Sequence, residues 1–423
     1  MSSEPDPTDR PEPDPAPEPA PLLELRAPLP GVVKTDEGLA STCAALSAGS
    51  GPVAIDAERA SGYRYSPRAY LIQLRREGSG THLVDPIAFD SLGPLVHALD
   101  GTEWILHAAT QDLPCLTALG LHPAELFDTE LAGRLLGYPR VGLATLVESR
   151  LGCAMKKEHS AADWSTRPLP TPWLEYAALD VEVLVELRDD LAHELEAAGK
   201  LDWAQQEFDA LRAFQQIPRT EGWRRTSGLH RVRGRRGLGV IRELWETRDE
   251  IARTRDIAPG RILPDSAIVV AAQAMPTSRG DLLSTKGFHG RGAQRHSHEW
   301  GDALTRVREM DETDLPARAP RTDAPPQARQ WAERDPVAAA RLSRAREGLA
   351  ELSERVEVPV ENLLTPDVVR RLLWQPPATR DPESLTTAVT DWLTEHGARP
   401  WQVELSRSLL VEAILDAEPQ AMG

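Results

Sequence analysis

An apolar run that ends in two acids one residue apart, Val53 to Glu58, constrains this chain more than any other feature. Side chains of a strand alternate between its faces, so Asp56 and Glu58 project from one side and are placed to share a metal ion. Two more acids have equally specific surroundings. Asp112 lies in LHAATQDLPCL, and Asp180 follows Tyr176 by four residues in WLEYAALDVEVL, a helical pattern that stacks phenol and carboxylate one turn apart. Carboxylates gathered in one place repel one another and are costly to bury unless cations neutralise them, so the set of four implies bound metal. Two-metal sites hold ions roughly 3.5–4 Å apart and stabilise both the attacking and the leaving oxygen of a phosphoryl displacement. The expected chemistry is phosphodiester hydrolysis. Each acid alone has a plainer reading: surface acids flanking a strand for Asp56 and Glu58, a helix-start acid for Asp112, a partner for Arg188 or another cation for Asp180. Their conjunction carries the inference.

The order D-x-E, then D in a helix-opening segment, then Y-x-x-x-D resembles the DEDD exonuclease superfamily in its tyrosine subclass. The histidine subclass has His where Glu175 stands. The flanking segments RAYLIQL, HAATQDLPCL and ADWSTRPLPTPWLEYAALDVEVL narrow the resemblance to the ribonuclease D family, over roughly residues 30–310. That resemblance implies a ribonuclease H-like α/β exonuclease domain followed by two small all-α bundles, an HRDC domain and an HRDC-like one. It also implies that Asp56, Glu58, Asp112 and Asp180 hold two divalent cations, Mg²⁺ or Mn²⁺. Tyr176 would orient the nucleophilic water, since a phenol ionising near 10 is a poor base at neutral pH. The implied activity is 3′→5′ exoribonuclease trimming that releases nucleoside 5′-monophosphates, with tRNA precursors as the leading substrate. A DNA-trimming exonuclease of the same superfamily and a catalytically silent RNA-binding scaffold are the rivals. The absence of a G-x-x-x-x-G-K-[ST] loop weakens the helicase-linked DNA reading, and the presence of all four acids weakens the scaffold.

A chain of 423 residues with 41% hydrophobic and 27% charged residues is long enough for several cored domains. No apolar run approaches the ~20 residues of a membrane span, and the N-terminus lacks the pattern of a signal peptide. Cys43, Cys115 and Cys153 fit neither a zinc site nor a disulfide framework, so a reduced cytoplasm is expected. The net charge of −17 argues against a polyanionic partner until its placement is considered. Residues 1–30 hold seven acids against two arginines among many prolines and read as a disordered tail. Between Arg219 and Arg236 seven arginines face one acid, which suggests a flexible basic strap that steers RNA, with a plain solvated linker as the alternative. The expected division is therefore a tail (1–30), exonuclease (31–215), basic linker (216–236), HRDC domain (237–315), linker (316–330) and an HRDC-like bundle (331–420), the last too acidic for a primary role in binding RNA.

Strands are expected at PVAIDAE, AYLIQLRR, THLVDP and WILHAA, the early ones as an antiparallel meander and the later strand–helix alternation as a parallel addition. A long helical stretch begins with Thr171 as N-cap and Pro172 at the first position, its first helix ending at Gly199. Arg167 reads either as a phosphate contact or as a loop anchor; Asp128, in LFDTELAGRLLG, also resembles the family segment but reads first as an N-cap; and His289, His296 and His298 read as solvent-exposed rather than metal-binding.

Overall fold

The β-branched and apolar alternation around Asp56 becomes the middle of a sheet. The computed structural model describes residues 19–156, 159, 161–215, 220–318 and 323–417. Among them six strands, β1 (Val32–Val33), β2 (Ser50–Arg59), β3 (Ala69–Glu77), β4 (Gly80–Val84), β5 (Glu103–Leu106) and β6 (Glu125–Asp128), lie in the order β1-β4-β3-β2-β5-β6. β2, β3 and β4 form the antiparallel meander, and β5 and β6 add in parallel beside β2. Gly78 makes the tight turn between β3 and β4 with φ 77°, a backbone that side chains disfavour. β6 and the short β1 were not among the expected strands; both are too short for periodicity to register.

Helices cover both faces of the sheet. On one face α1 (Asp36–Ala48), capped by Thr35, and α2 (Gly93–Ala98) bury Leu39, Leu46 and Leu95 against Ile55 and Ile72. α3 (Leu113–Thr117), α4 (Thr129–Leu135) and α5 (Leu143–Leu151) follow β5 and β6, and α6 (Thr171–Glu182), α7 (Leu184–Ala197) and α8 (Leu201–Arg212) complete the unit. Thr171 is the first helical residue rather than the cap. The helix expected to run to Gly199 breaks at Val183 (φ −120°, ψ 6°), where no Gly or Pro signals it. The break has a tertiary cause: α6 lies on β2, β3 and β4, whereas α7 crosses to α4, α5 and β5.

The second unit is the expected helical bundle, α9 (Arg235–Arg255), α10 (Pro259–Ile262), α11 (Asp265–Ala274), α12 (Arg279–Ser284), α13 (Arg291–Arg295) and α14 (Ser297–Glu309), closed around Leu244, Ile268 and Trp300. It docks on the loop that leaves β2. The Tyr65 hydroxyl meets Asp249 at 2.9 Å, Asp256 accepts from the Ser66 N–H at 2.8 Å, and Arg261 donates to the Gly62 carbonyl at 2.8 Å. The third unit comprises α15 (Trp331–Arg334), α16 (Pro336–Val356), α17 (Val360–Leu363), α18 (Pro366–Trp374), α19 (Pro382–Glu395) and α20 (Pro400–Leu415). Its apolar core is continuous with that of the first unit, joining Leu349, Trp401 and Leu410 to Phe127, Leu187 and Phe208.

Two expectations are corrected. The N-terminal tail was expected to be disordered throughout; residues 1–18 lie outside the described residues, but the following segment is docked. Leu22 bridges Ala154, the Leu23 N–H donates to the Ala154 carbonyl at 2.9 Å, and Leu25 and Leu29 pack beside Trp173 and Tyr176. Three half-buried leucines, Leu23, Leu25 and Leu29, outweigh the proline-rich average of the segment. The basic linker is likewise not a free strap over its described part. Trp223 is buried, Arg224 donates to the Ala317 carbonyl, Arg235 to those of Leu315 and Pro316, and Arg236 to that of Val307, so these three cations serve the bundle. Arg219 lies outside the described residues.

Candidate active site

β2 resolves its alternation as the period of a strand requires. Val53, Ile55 and Ala57 enter the core under α1 and α2, and Asp56 and Glu58 face the opposite side. α6 crosses that side and brings Tyr176 and Asp180 down onto β2, with Ala177 and Ala178 as the small residues that let it approach. One oxygen each of Asp56, Glu58 and Asp180 lie within 4.8 Å of one another, a spacing that fits a shared cation. Asp112 reaches the same cavity from the end of β5, as the residue before α3, but stands outside that closest group. Its Oδ1 lies 3.3 Å from the Arg59 guanidinium.

The cavity has a volume of about 730 Å³ and opens to solvent between α5, α6 and the segment around Lys156 and His159. Burial and mutual repulsion dominate its electrostatics. Burial first, then Asp56, Asp180 and Asp112, push Glu58 up to about 10. Asp112 and Asp180 are held well above the usual carboxylate range by burial and by Asp56, and burial raises Asp56 as well. The Tyr176 phenol ionises far above neutrality, because burial and the charges of Asp180, Glu58 and Asp56 oppose a phenolate. Such an arrangement is stable with its acids ionised only when positive charge enters the cavity. All four acids are hard oxygen donors, the set that suits Mg²⁺ or Mn²⁺ rather than zinc.

Sequence reasoning missed three cavity residues. Arg59 has no motif that marks it as the partner of Asp112, His107 is pushed down to about 4 by burial, and the His159 ring meets Tyr176 edge-on at 6.1 Å. Other sequence candidates fall elsewhere. Arg167 grips Asp85 at 2.7 Å through two nitrogens and donates to the carbonyls of Tyr70 and Trp164, which makes it a loop anchor. Arg188 pairs with Glu103 rather than with Asp180. His296 is buried and contacts Glu299, contrary to the solvent-exposed loop expected there.

Comparison with known proteins resolves the identity of this architecture. The family described as 3'-5' exonuclease matches residues 30–196, the HRDC domain matches 237–304, and the 3' to 5' exonuclease C-terminal domain matches 324–414. Ribonuclease D of Escherichia coli strain K12 is 32% identical over 272 residues, spanning 62% of this chain and 72% of that protein. Ribonuclease D of Serratia proteamaculans is 30% identical over 295 residues, 68% of this chain and 78% of its own. The chain belongs to the ribonuclease D family. Among solved structures, a protein from Bifidobacterium adolescentis superimposes with a TM-score of 0.85 at 36% identity, over 93% of this chain and 99% of the other. Escherichia coli RNase D, described as an exoribonuclease involved in structured RNA processing, gives 0.66 at 25% identity over 91% and 98%. The ribonuclease D architecture thus extends through all three units. No helix among the described residues is long and apolar enough to cross a membrane.

Proposed function

We propose that this ribonuclease D family enzyme trims RNA from its 3′ end, releasing nucleoside 5′-monophosphates, and that tRNA precursors are its substrates. The observation that carries the reading is the convergence of Asp56, Glu58 and Asp180 within 4.8 Å at the floor of an open cavity, with Asp112 beside them. In this reading the four acids hold two divalent cations, Mg²⁺ or Mn²⁺. Bound there, the ions supply an activated water and neutralise charge on the leaving 3′ oxygen. Tyr176 lines the cavity one helical turn from Asp180 and keeps its proton at neutral pH, so its hydroxyl is suited to orient the water rather than to remove its proton. Arg59 offsets part of the negative charge at Asp112 and lines the cavity as a cation available to a substrate phosphate. Residues 31–215 carry the chemistry in this assignment, with the bundles at 237–315 and 331–420 shaping access to it. A cytoplasmic setting accords with three cysteines that form no disulfide.

The test offers 5′-end-labelled tRNA precursor and a matched single-stranded DNA to the full chain with Mg²⁺ or with EDTA. RNA should shorten stepwise from the 3′ end, yield 5′-mononucleotides and stop in EDTA. Asp56→Ala and Asp180→Ala should abolish trimming in folded protein, and Tyr176→Phe should lower kcat more than RNA affinity. Trimming that persists in EDTA overturns the metal assignment. DNA shortened as fast as RNA overturns the choice of substrate.

A further inference from the structure

Asp128 is the last residue of β6 and the N-cap of α4, and a capping role is the reading that its sequence context favours. The structure gives its carboxylate more to do. Oδ1 accepts from the N–H groups of Glu130 and Leu131 at 2.9 and 3.1 Å, which is the cap. The same oxygen accepts from the Ala108 N–H at 3.1 Å, and Oδ2 accepts from the Ala109 N–H at 2.8 Å. Those two amides belong to the segment that leads from β5 to Asp112. Ala108 has φ 59°, a left-handed backbone that a residue with a β-carbon adopts only when held. The turn then propagates: the Ala108 carbonyl accepts from the Gln111 N–H at 2.9 Å, and the Ala109 carbonyl from the Asp112 N–H at 3.1 Å. Thr129 reinforces it, with its hydroxyl 2.9 Å from His107 Nδ1 and 3.3 Å from the Leu106 carbonyl. Asp128 is 3% exposed and does not line the cavity, so it touches neither metal nor RNA.

We infer that Asp128 is a positioning residue for the exonuclease reaction: its carboxylate locks the left-handed turn at Ala108 and thereby sets where Asp112 enters the carboxylate cavity. This rests on the function proposed above. Outer groups that orient a metal ligand act on the ligand's geometry rather than on substrate affinity. A plain cap would act on stability alone.

Asp128→Asn separates the two roles. The variant is isosteric and keeps one oxygen for the helix, but an NH₂ group in place of Oδ2 faces the Ala109 N–H, donor against donor. The expected result is a folded protein with RNA KM within about twofold of wild type, kcat lower by roughly 10–100-fold, and a Mg²⁺ concentration for half-maximal rate raised several-fold. Asp128→Ser, whose hydroxyl can still cap α4 but cannot reach both amides, should behave likewise. Asp381→Asn is the control, because Asp381 caps α19 in the same way, through the Ser384 N–H at 2.9 Å. Asn caps a helix about as well as Asp, so this variant should leave both the melting temperature and the Mg²⁺ dependence near those of the wild type. Wild-type kcat and Mg²⁺ dependence in Asp128→Asn overturns the inference, as does a fall in rate that only tracks the folded fraction seen by circular dichroism. If the wild-type protein itself fails to trim RNA, the proposed function is what fails.

Discussion

Glu58 binds its proton far more tightly in the folded chain than in the unfolded one, since burial and three neighbouring acids push it up to about 10 from an ordinary value near 4.5. A group raised in this way makes the folded state hold more protons than the unfolded state between those two values, so metal-free stability falls as pH rises through the window. A divalent cation stabilises the ionised acids and reverses that loss. Adding Mg²⁺ should therefore raise the melting temperature little near pH 5 and progressively more towards pH 9, with Glu58→Gln flattening the trend. A gain that is the same at every pH would mean that the ion binds elsewhere. Asp56, Glu58, Tyr176 and Asp180 were legible because two local periods place them, two residues along a strand and four along a helix, whereas Asp112 lies in a turn that neither period reaches. Arg59 was not, because the carboxylate it meets is brought to it only by the neighbouring strand β5.

Elements pack here through contacts that local patterns do not encode. The end of β6 and the break at Val183 both serve tertiary demands, and nothing in their composition announces them. The same holds for the junction between α8 and α20. Trp401 is buried, stacks on Trp203 at 5.0 Å between ring centroids, and donates its Nε1–H to Glu207 at 3.0 Å. Glu207 is buried too, with Arg399 at 3.4 Å as its charged partner. Replacing Trp401 with Ala removes a large apolar surface and an acceptor's donor together. The expected loss is about 3–5 kcal/mol of stability by denaturant unfolding, with the kcat of the folded fraction preserved because the site lies on other elements. If stability is unchanged, the first and third units do not share a core in solution. The sequence supplied the leucines of the third unit and its helical character, but the exonuclease face that they cover was not deducible from them.

At the scale of the whole molecule, a chain of net charge −17 must gather its cations locally if it is to hold a polyanion. Reading the arginines of residues 219–236 as one strap treats them as equivalent, and the fold divides them. Arg224, Arg235 and Arg236 are engaged with backbone carbonyls at the seam between α9 and the segment after α14, whereas Arg225, Arg231 and Arg233 are exposed. Charge counting along the chain cannot make this distinction, because the carbonyls that claim the first three come from residues 307–317. Two triple variants separate the roles. Gln at 225, 231 and 233 should weaken RNA binding at moderate salt and reduce the slope of log affinity against log salt by up to about two units, since each phosphate neutralised on a single strand adds about 0.7 to that slope. Their melting temperature should stay near that of the wild type, because exposed guanidinium groups contribute little to stability. Gln at 224, 235 and 236 should do the reverse, lowering the melting temperature by exposing carbonyls at the α14 end while changing the salt slope little. Equal salt slopes in wild type and the 225/231/233 variant would remove this face from the path of RNA, and the phosphate contacts would then have to come from the rim of the carboxylate cavity, where Arg59 and Lys156 are the cations at hand.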